Sequence, residues 1–183
     1  MRLIAGRFRG RALTGLGKGD AAAHLRPTSD RVRESLFSVL AARDVIEGAR
    51  VLDLFAGTGA LGLEALSRGA EHVSFVDTGR VALGLIARNV ALLQVAEETE
   101  VIRRDATRLG PCPGAPYDLI FLDPPYGSPL GQKALQSARQ GGWIAQSALI
   151  VWEDNAPMEP EGFALCDQRR YGDTWITLLE AAP

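Results

Sequence analysis

Apolar and polar positions split the chain into a loosely patterned, arginine-rich first fifty residues and a regular succession of strand-like and helix-like segments after them. In the first part Leu3, Ile4, Phe8 and Leu13 alternate with Arg2, Arg7, Arg9 and Arg11, punctuated by Gly6 and Gly10. That alternation predicts a short hairpin with one cationic face. Residues 15–25 hold three glycines among small residues and read as a loop. Pro27 then precedes Thr28, Ser29 and Asp30, all helix-capping residue types. Val32, Leu36, Val39 and Leu40 follow at i, i+4, i+7 and i+8, the spacing of one helix face. Arg31 and Arg33 flank that stripe, so their stems should lie along it while the guanidinium groups reach out.

From Arg50 the period changes repeatedly between that of a strand and that of a helix. Strands are predicted over 51–55, 72–76, 100–103, 117–122, 148–152, 163–167 and 175–179. Helices are predicted over 60–68, ended by Gly69, over 80–93 and over 130–140. Residues 117–122 are almost wholly apolar, as a strand buried on both faces should be. Alternation of this kind implies a mostly parallel, doubly wound α/β sheet. The short loops between the last strands suggest a terminal antiparallel hairpin. The expected organisation is one domain over 1–183, with an arm and loop at 1–25, a cap helix at 26–45 and a core at 46–183.

Composition narrows the picture further. With 46% hydrophobic and 23% charged residues, the chain suits a folded soluble domain and not a disordered one. Its longest apolar runs, such as 148–152, fall far short of the ~20 residues that span a bilayer. The amino terminus reaches Arg7 and Arg9 before any secretory apolar region forms, so a cytoplasmic protein without a membrane partner is expected. Cys112 and Cys166 stand 54 residues apart outside any CxxC or Cys/His cluster, which argues for reduced thiols and no metal. His24 and His72 are the two histidines, and neither GxSxG nor HExxH spacing occurs. The net charge of −2 conceals a division, +5 over residues 1–50 and −7 over the rest. A basic segment beside an acidic body suggests that the first fifty residues meet a polyanion.

Four motifs carry candidate chemistry. Asp53-Leu54-Phe55-Ala56-Gly57-Thr58-Gly59-Ala60-Leu61-Gly62 places GxGxxG between a strand and a helix, where backbone approaches a nucleotide-like ligand closely. Phe55, Ala56, Gly57, Thr58 and Gly59 are its candidate ligand-contacting residues. Asp53 would repel a pyrophosphate there but would pair with an α-ammonium group, and S-adenosylmethionine carries an ammonium and a sulfonium without any phosphate. Asp77, 24 residues on, ends the second strand where a carboxylate accepts hydrogen bonds from ribose hydroxyls or caps the next helix. Asp105, followed by Ala106, comes after the third strand and either accepts from an adenine amino group or caps a turn. Lastly, Asp123-Pro124-Pro125-Tyr126 ends an apolar strand at the ligand-binding edge of the sheet. The prolines stiffen the loop and leave carbonyl acceptors. Asp123 and the Pro124 carbonyl can take both hydrogens of a base's exocyclic amine, and Tyr126 offers a flat face for stacking.

An NAD-linked oxidoreductase would use the glycines but leaves residues 123–126 without a role, and a non-catalytic RNA-binding protein needs neither Asp53 nor Asp123. A motif of this kind serves an adenine N6 amine in DNA or RNA as well as a guanine N2 amine. In its four-part order the chain resembles S-adenosylmethionine-dependent amino-methyltransferases with a DPPY-type motif. More narrowly it resembles the RsmD family of bacterial 16S rRNA (guanine-N2)-methyltransferases. The resemblance rests on Ile4-Ala5-Gly6-Arg7-Phe8-Arg9-Gly10-Arg11, on Leu25 to Phe37, on Asp53 to Ala70 and on Tyr171-Gly172-Asp173-Thr174. It implies a Rossmann-like class I methyltransferase fold preceded by a basic hairpin and cap helix. It also implies methylation of the N2 amine of guanine 966 in 16S rRNA, within a small-subunit ribosomal particle. A monomer is expected, with Arg7, Arg9, Arg11, Arg26, Arg31 and Arg33 as RNA contacts.

Overall fold

The computed structural model describes residues 1–17 and 28–182. Seven strands form one sheet: β1 (Arg50–Leu54), β2 (His72–Asp77), β3 (Thr99–Arg103), β4 (Tyr117–Leu122), β5 (Ile144–Asp154), β6 (Phe163–Tyr171) and β7 (Thr174–Ala181). Their spatial order is β3-β2-β1-β4-β5-β7-β6. The first five run parallel, whereas β7 pairs antiparallel with both β5 and β6. Four helices accompany them: α1 (Asp30–Ala42), α2 (Ala60–Ser67), α3 (Arg80–Leu93) and α4 (Leu130–Gln140). The mixed α/β fold with its terminal antiparallel strands is the one expected from the alternation of periods.

The core has two layers because side chains alternate across the sheet. Val51, Val73, Phe75, Leu119 and Phe121 face α1, α2 and α3, joining Leu36, Phe37, Leu63, Leu66, Ile86 and Val90. Leu52, Leu54, Val76, Ile120 and Leu122 face the other way and meet Ala134, Leu135 and Ala138 of α4, with Trp143 and Trp152. Each such Leu or Phe contributes ~1.5–3 kcal/mol by leaving water. Among the described residues no helix is long and apolar enough to cross a membrane.

The arm is less regular than a hairpin. A single antiparallel bridge joins Arg2 and Ala12, supported by Leu3 N–H donating to the Arg11 carbonyl at 3.0 Å and Leu13 N–H to that of Met1 at 3.0 Å. A longer ladder does not form because α2 takes the intervening donors. Ile4 and Ala5 donate their N–H groups to the carboxylate of Glu64 at 2.9 and 3.1 Å. Arg7 N–H reaches the Ser67 carbonyl at 2.8 Å and Phe8 N–H the Ser67 hydroxyl at 3.0 Å. In α1, Ser29 is the N-cap and accepts from Val32 N–H at 3.2 Å. The buried face of α1 is Arg33, Leu36, Phe37 and Leu40, rotated from the stripe that starts at Val32.

Candidate active site

Neighbouring β1 and β4 pair with Asp53 opposite Phe121 and Leu54 opposite Leu122. From β1 the chain continues to β2 on one side of the pair, and from β4 it continues to β5 on the other. The loops that follow the two strands therefore part, and open α/β sheets bind ligands at such a point. A cavity of about 730 Å³ lies there. Asp53, residues 55–58, Asp77 and residues 123–126 all line it. Three of the four candidate motifs are thus brought to one place.

The loop after β1 curls through left-handed backbone at Phe55 (φ 58°), Gly57 (φ 59°) and Gly59 (φ 79°). For Phe55 that conformation is strained, and such strain concentrates in ligand-binding loops. Gly59 is the N-cap of α2 and lies beneath the loop, outside the cavity lining. Asp53 is 1% exposed, and its Oδ2 accepts the N–H of Gly62 at 3.0 Å. No base of the described residues pairs with it. Burial pushes its carboxyl up to about 8, against the Gly62 hydrogen bond and helped by the charge of Asp77. A buried acid without a cation, opening onto a cavity, fits a ligand that brings the cation. Asp77 fastens two loops at once: Oδ2 accepts from Gly57 N–H at 3.0 Å and Oδ1 from Gly79 N–H at 2.8 Å. Each oxygen retains a second lone pair for a ligand hydroxyl.

The turn after β4 is built against α4 and β5. Pro124 is buried, and a Cβ at Gly131 of α4 would come within 2.9 Å of its ring and 2.5 Å of the Trp152 ring. The missing side chain lets the helix press the turn onto the sheet. The Tyr126 hydroxyl donates to Glu153 Oε1 at 2.8 Å and lies 2.8 Å from Thr174 Oγ1. Next to it, Gly127 N–H donates to Asp154 Oδ1 at 3.0 Å.

The structure places the other predicted residues as follows. Asp105 takes its capping role: Oδ1 accepts both the N–H and the hydroxyl of Thr107, at 2.8 and 2.7 Å. Asp105 and the buried Ala106 lie outside the cavity lining. Arg33 does not reach out. It is fully buried, donating to the Arg2 carbonyl and to Asp30 Oδ1 at 3.0 Å, with Glu64 Oε2 3.8 Å away. The inward face of α1 carries it under the arm. Arg7, Arg9, Arg11 and Arg31 are exposed, and Arg26 falls outside the described residues. His72 sits at the start of β2, 3.1 Å from Ser74 Oγ, away from the cavity. Sequence patterns alone passed over Thr28 and Arg80, which line the cavity. They also passed over Asn89, buried in α3, whose Nδ2 donates to the carbonyls of Thr58 and Thr14 at 3.0 Å each.

This constellation has close relatives. The family described as conserved hypothetical protein 95 matches residues 1–180. Ribosomal RNA small subunit methyltransferase D of Escherichia coli (strain K12) is 37% identical over 184 residues, covering 98% of this chain and 89% of the relative. The chain belongs to the RsmD family. A second RsmD relative, from Haemophilus influenzae, is 35% identical over 178 residues, covering 94% of this chain and 89% of its own. Among solved structures, the candidate methyltransferase yhhF of Escherichia coli matches with a TM-score of 0.84 at 35% identity, over 100% of this chain and 98% of that one. RsmD membership makes the chain a methyltransferase, and the cavity at the carboxyl ends of β1, β2 and β4 is its candidate active site.

Proposed function

We propose that the chain methylates the N2 amine of guanine 966 in 16S rRNA, within a small-subunit ribosomal particle, using S-adenosylmethionine. The observation that carries the reading is a single cavity lined both by the acids Asp53 and Asp77 and by the 123–126 turn. The bound cofactor supplies an electrophilic methyl carbon beside a sulfonium and an α-ammonium. Asp53, buried without a cation, is suited to the ammonium, and Asp77 to the ribose hydroxyls. Phe55, Ala56, Gly57 and Thr58 form the wall between them. Asp123 and the Pro124 carbonyl accept the two amine hydrogens, which turns the nitrogen lone pair out of the ring's conjugation. The Asp123 hydrogen bond strengthens as the nitrogen gains positive charge, so it acts mainly on the transition state. Tyr126 stacks the base, worth ~1–3 kcal/mol. The guanine target follows the relatives named RsmD, since the same acceptors would serve an adenine N6 amine.

Nucleoside mass spectrometry of 16S rRNA from cells with and without the gene tests the target. Loss of N2-methylguanosine at position 966 is expected, whereas loss of N6-methyladenosine would overturn the guanine assignment. Titration with S-adenosylhomocysteine against NAD tests the cofactor. Asp123→Ala should lower kcat roughly a hundredfold or more while leaving S-adenosylhomocysteine binding intact.

A further inference from the structure

Strand β5 ends in two acids, Glu153 and Asp154, at the edge of the sheet where the cavity opens. Glu153 is only 6% exposed and has no basic partner among the described residues. Its two oxygens instead receive two hydroxyl hydrogens, Oε1 from Tyr126 and Oε2 from Thr28, each at 2.8 Å. A carboxylate only accepts, so the phenol hydrogen is committed to Glu153, and Thr174 donates to the phenol oxygen at 2.8 Å. Three segments remote in sequence meet here: the turn after β4, the residue preceding the α1 cap and the first residue of β7. Tyr126 and Thr28 line the cavity, while Glu153 and Thr174 do not. A charged group buried at a strand end is costly as packing material, and an apolar side chain would stabilise the fold at least as well.

We propose that Glu153 is a positioning residue: by gripping Tyr126 and Thr28 together, it fixes the tyrosine ring in the plane that receives the target base and ties that plane to the segment leading into α1. The proposal rests on the reading that Tyr126 stacks the base. Thr28 is three residues before the exposed Arg31, so RNA seated on the start of α1 meets a segment already joined to the ring. Asp154 holds the next residue of the turn through Gly127, which leaves Glu153 to set the ring itself.

The test uses small ribosomal subunits isolated from cells lacking the gene, with kcat, KM for the subunit, S-adenosylhomocysteine affinity and Tm measured for each variant. Glu153→Ala should lower kcat about tenfold or more with cofactor affinity unchanged. Glu153→Gln, which still offers a hydrogen-bonding group to each hydroxyl, should recover most of that loss. Tyr126→Phe should cost a similar factor, and the double variant Glu153→Ala/Tyr126→Phe should be no slower than Glu153→Ala alone. Multiplying losses in the double variant, or wild-type turnover in Glu153→Ala, would overturn the positioning role. So would a fall in cofactor affinity that parallels the fall in kcat. If Glu153→Ala does not fold, Thr28→Val and Tyr126→Phe test the same grip with the carboxylate in place. A raised KM in Thr28→Val and a less-than-multiplicative double variant support it, and independent effects overturn it. Tyr126→Ala separates the two levels. Wild-type turnover there removes the stacking reading itself, whereas loss there with full activity in both Glu153→Ala and Tyr126→Phe removes only the positioning role.

Discussion

Asp53 shows how one side chain sets fold stability and ligand affinity against each other. Its carboxyl titrates near 8 in the folded chain, against 3.8 as the ordinary value, because burial disfavours the anion more than the Gly62 N–H favours it. Between those values the folded state holds a proton that the unfolded state has released, so stability falls as pH rises from about 4 to 8. Asp53→Asn keeps the shape and an acceptor for Gly62 but cannot ionise. Its stability should match wild type at about pH 3 and exceed it at about pH 8.5, the gap growing by up to about 1.4 kcal/mol per pH unit between about 4 and 8. Cofactor affinity should move the other way. An ammonium beside Asp53 lowers its pKa and releases a proton, so binding should tighten with pH in wild type and weaken overall in Asp53→Asn. Calorimetry of S-adenosylhomocysteine in buffers of different ionisation enthalpy reads the released proton directly. Equal proton release by both proteins would separate Asp53 from the ammonium.

At the scale of elements, α2 sits where it does because Gly62 has no side chain. A Cβ there would lie 2.5 Å from the Phe75 ring and 2.7 Å from Val73 of β2. Gly62→Ala should therefore cost about 1–3 kcal/mol by forcing helix and sheet apart. Gly84, exposed in α3 with open space within 4 Å of where a Cβ would stand, should respond oppositely. Gly84→Ala is expected to gain about 0.5–1 kcal/mol. Chemical denaturation of the two variants checks both signs. The glycine spacing made the first of these legible in the sequence, as it did the loop around Asp53. The limits of α3, β4 and α4 were equally legible, because Gly and Pro punctuate strong apolar periods there. What escaped was polar structure. β5 begins four residues earlier than its apolar run, at Ile144, and pairs irregularly with β4 between Tyr117 and Leu119. β6 continues through Gln168, Arg169 and Arg170 because an edge strand needs no apolar face outward. Arg33 escaped since periodicity treats an arginine as outward, whereas here Asp30, Glu64 and the arm's backbone receive it. Glu153 lay within reach of the same edge rule that found Asp123, but at the end of a strand recognised only by its apolar residues.

For the molecule as a whole, the charge division of the chain becomes a division of labour. The arm is held to the body through its backbone, by Glu64 and Ser67 on Ile4, Ala5, Arg7 and Phe8, and by Asn89 on Thr14. Its arginine side chains are therefore separable from its anchoring. Arg7 lies over the Phe8 ring at 4.5 Å and pairs with Glu98, Arg11 donates to the Leu92 carbonyl at 3.1 Å, and Arg9 is exposed. The remaining body is net acidic, so on the proposed function the arm and Arg31 at the start of α1 are expected to supply most phosphate contacts. Each arginine that neutralises a phosphate releases condensed counterions, which makes affinity fall with salt in proportion to the number of contacts. Changing Arg7, Arg9 and Arg11 together to Ala should weaken binding to ribosomal RNA and flatten the slope of log K against log salt by about 2. Tm should change little, because the backbone anchors remain, and S-adenosylhomocysteine affinity should stay at the wild-type value. Binding measured at several salt concentrations decides the matter: an unaltered slope in the triple variant would mean that these arginines only solvate the arm, leaving RNA to be held elsewhere.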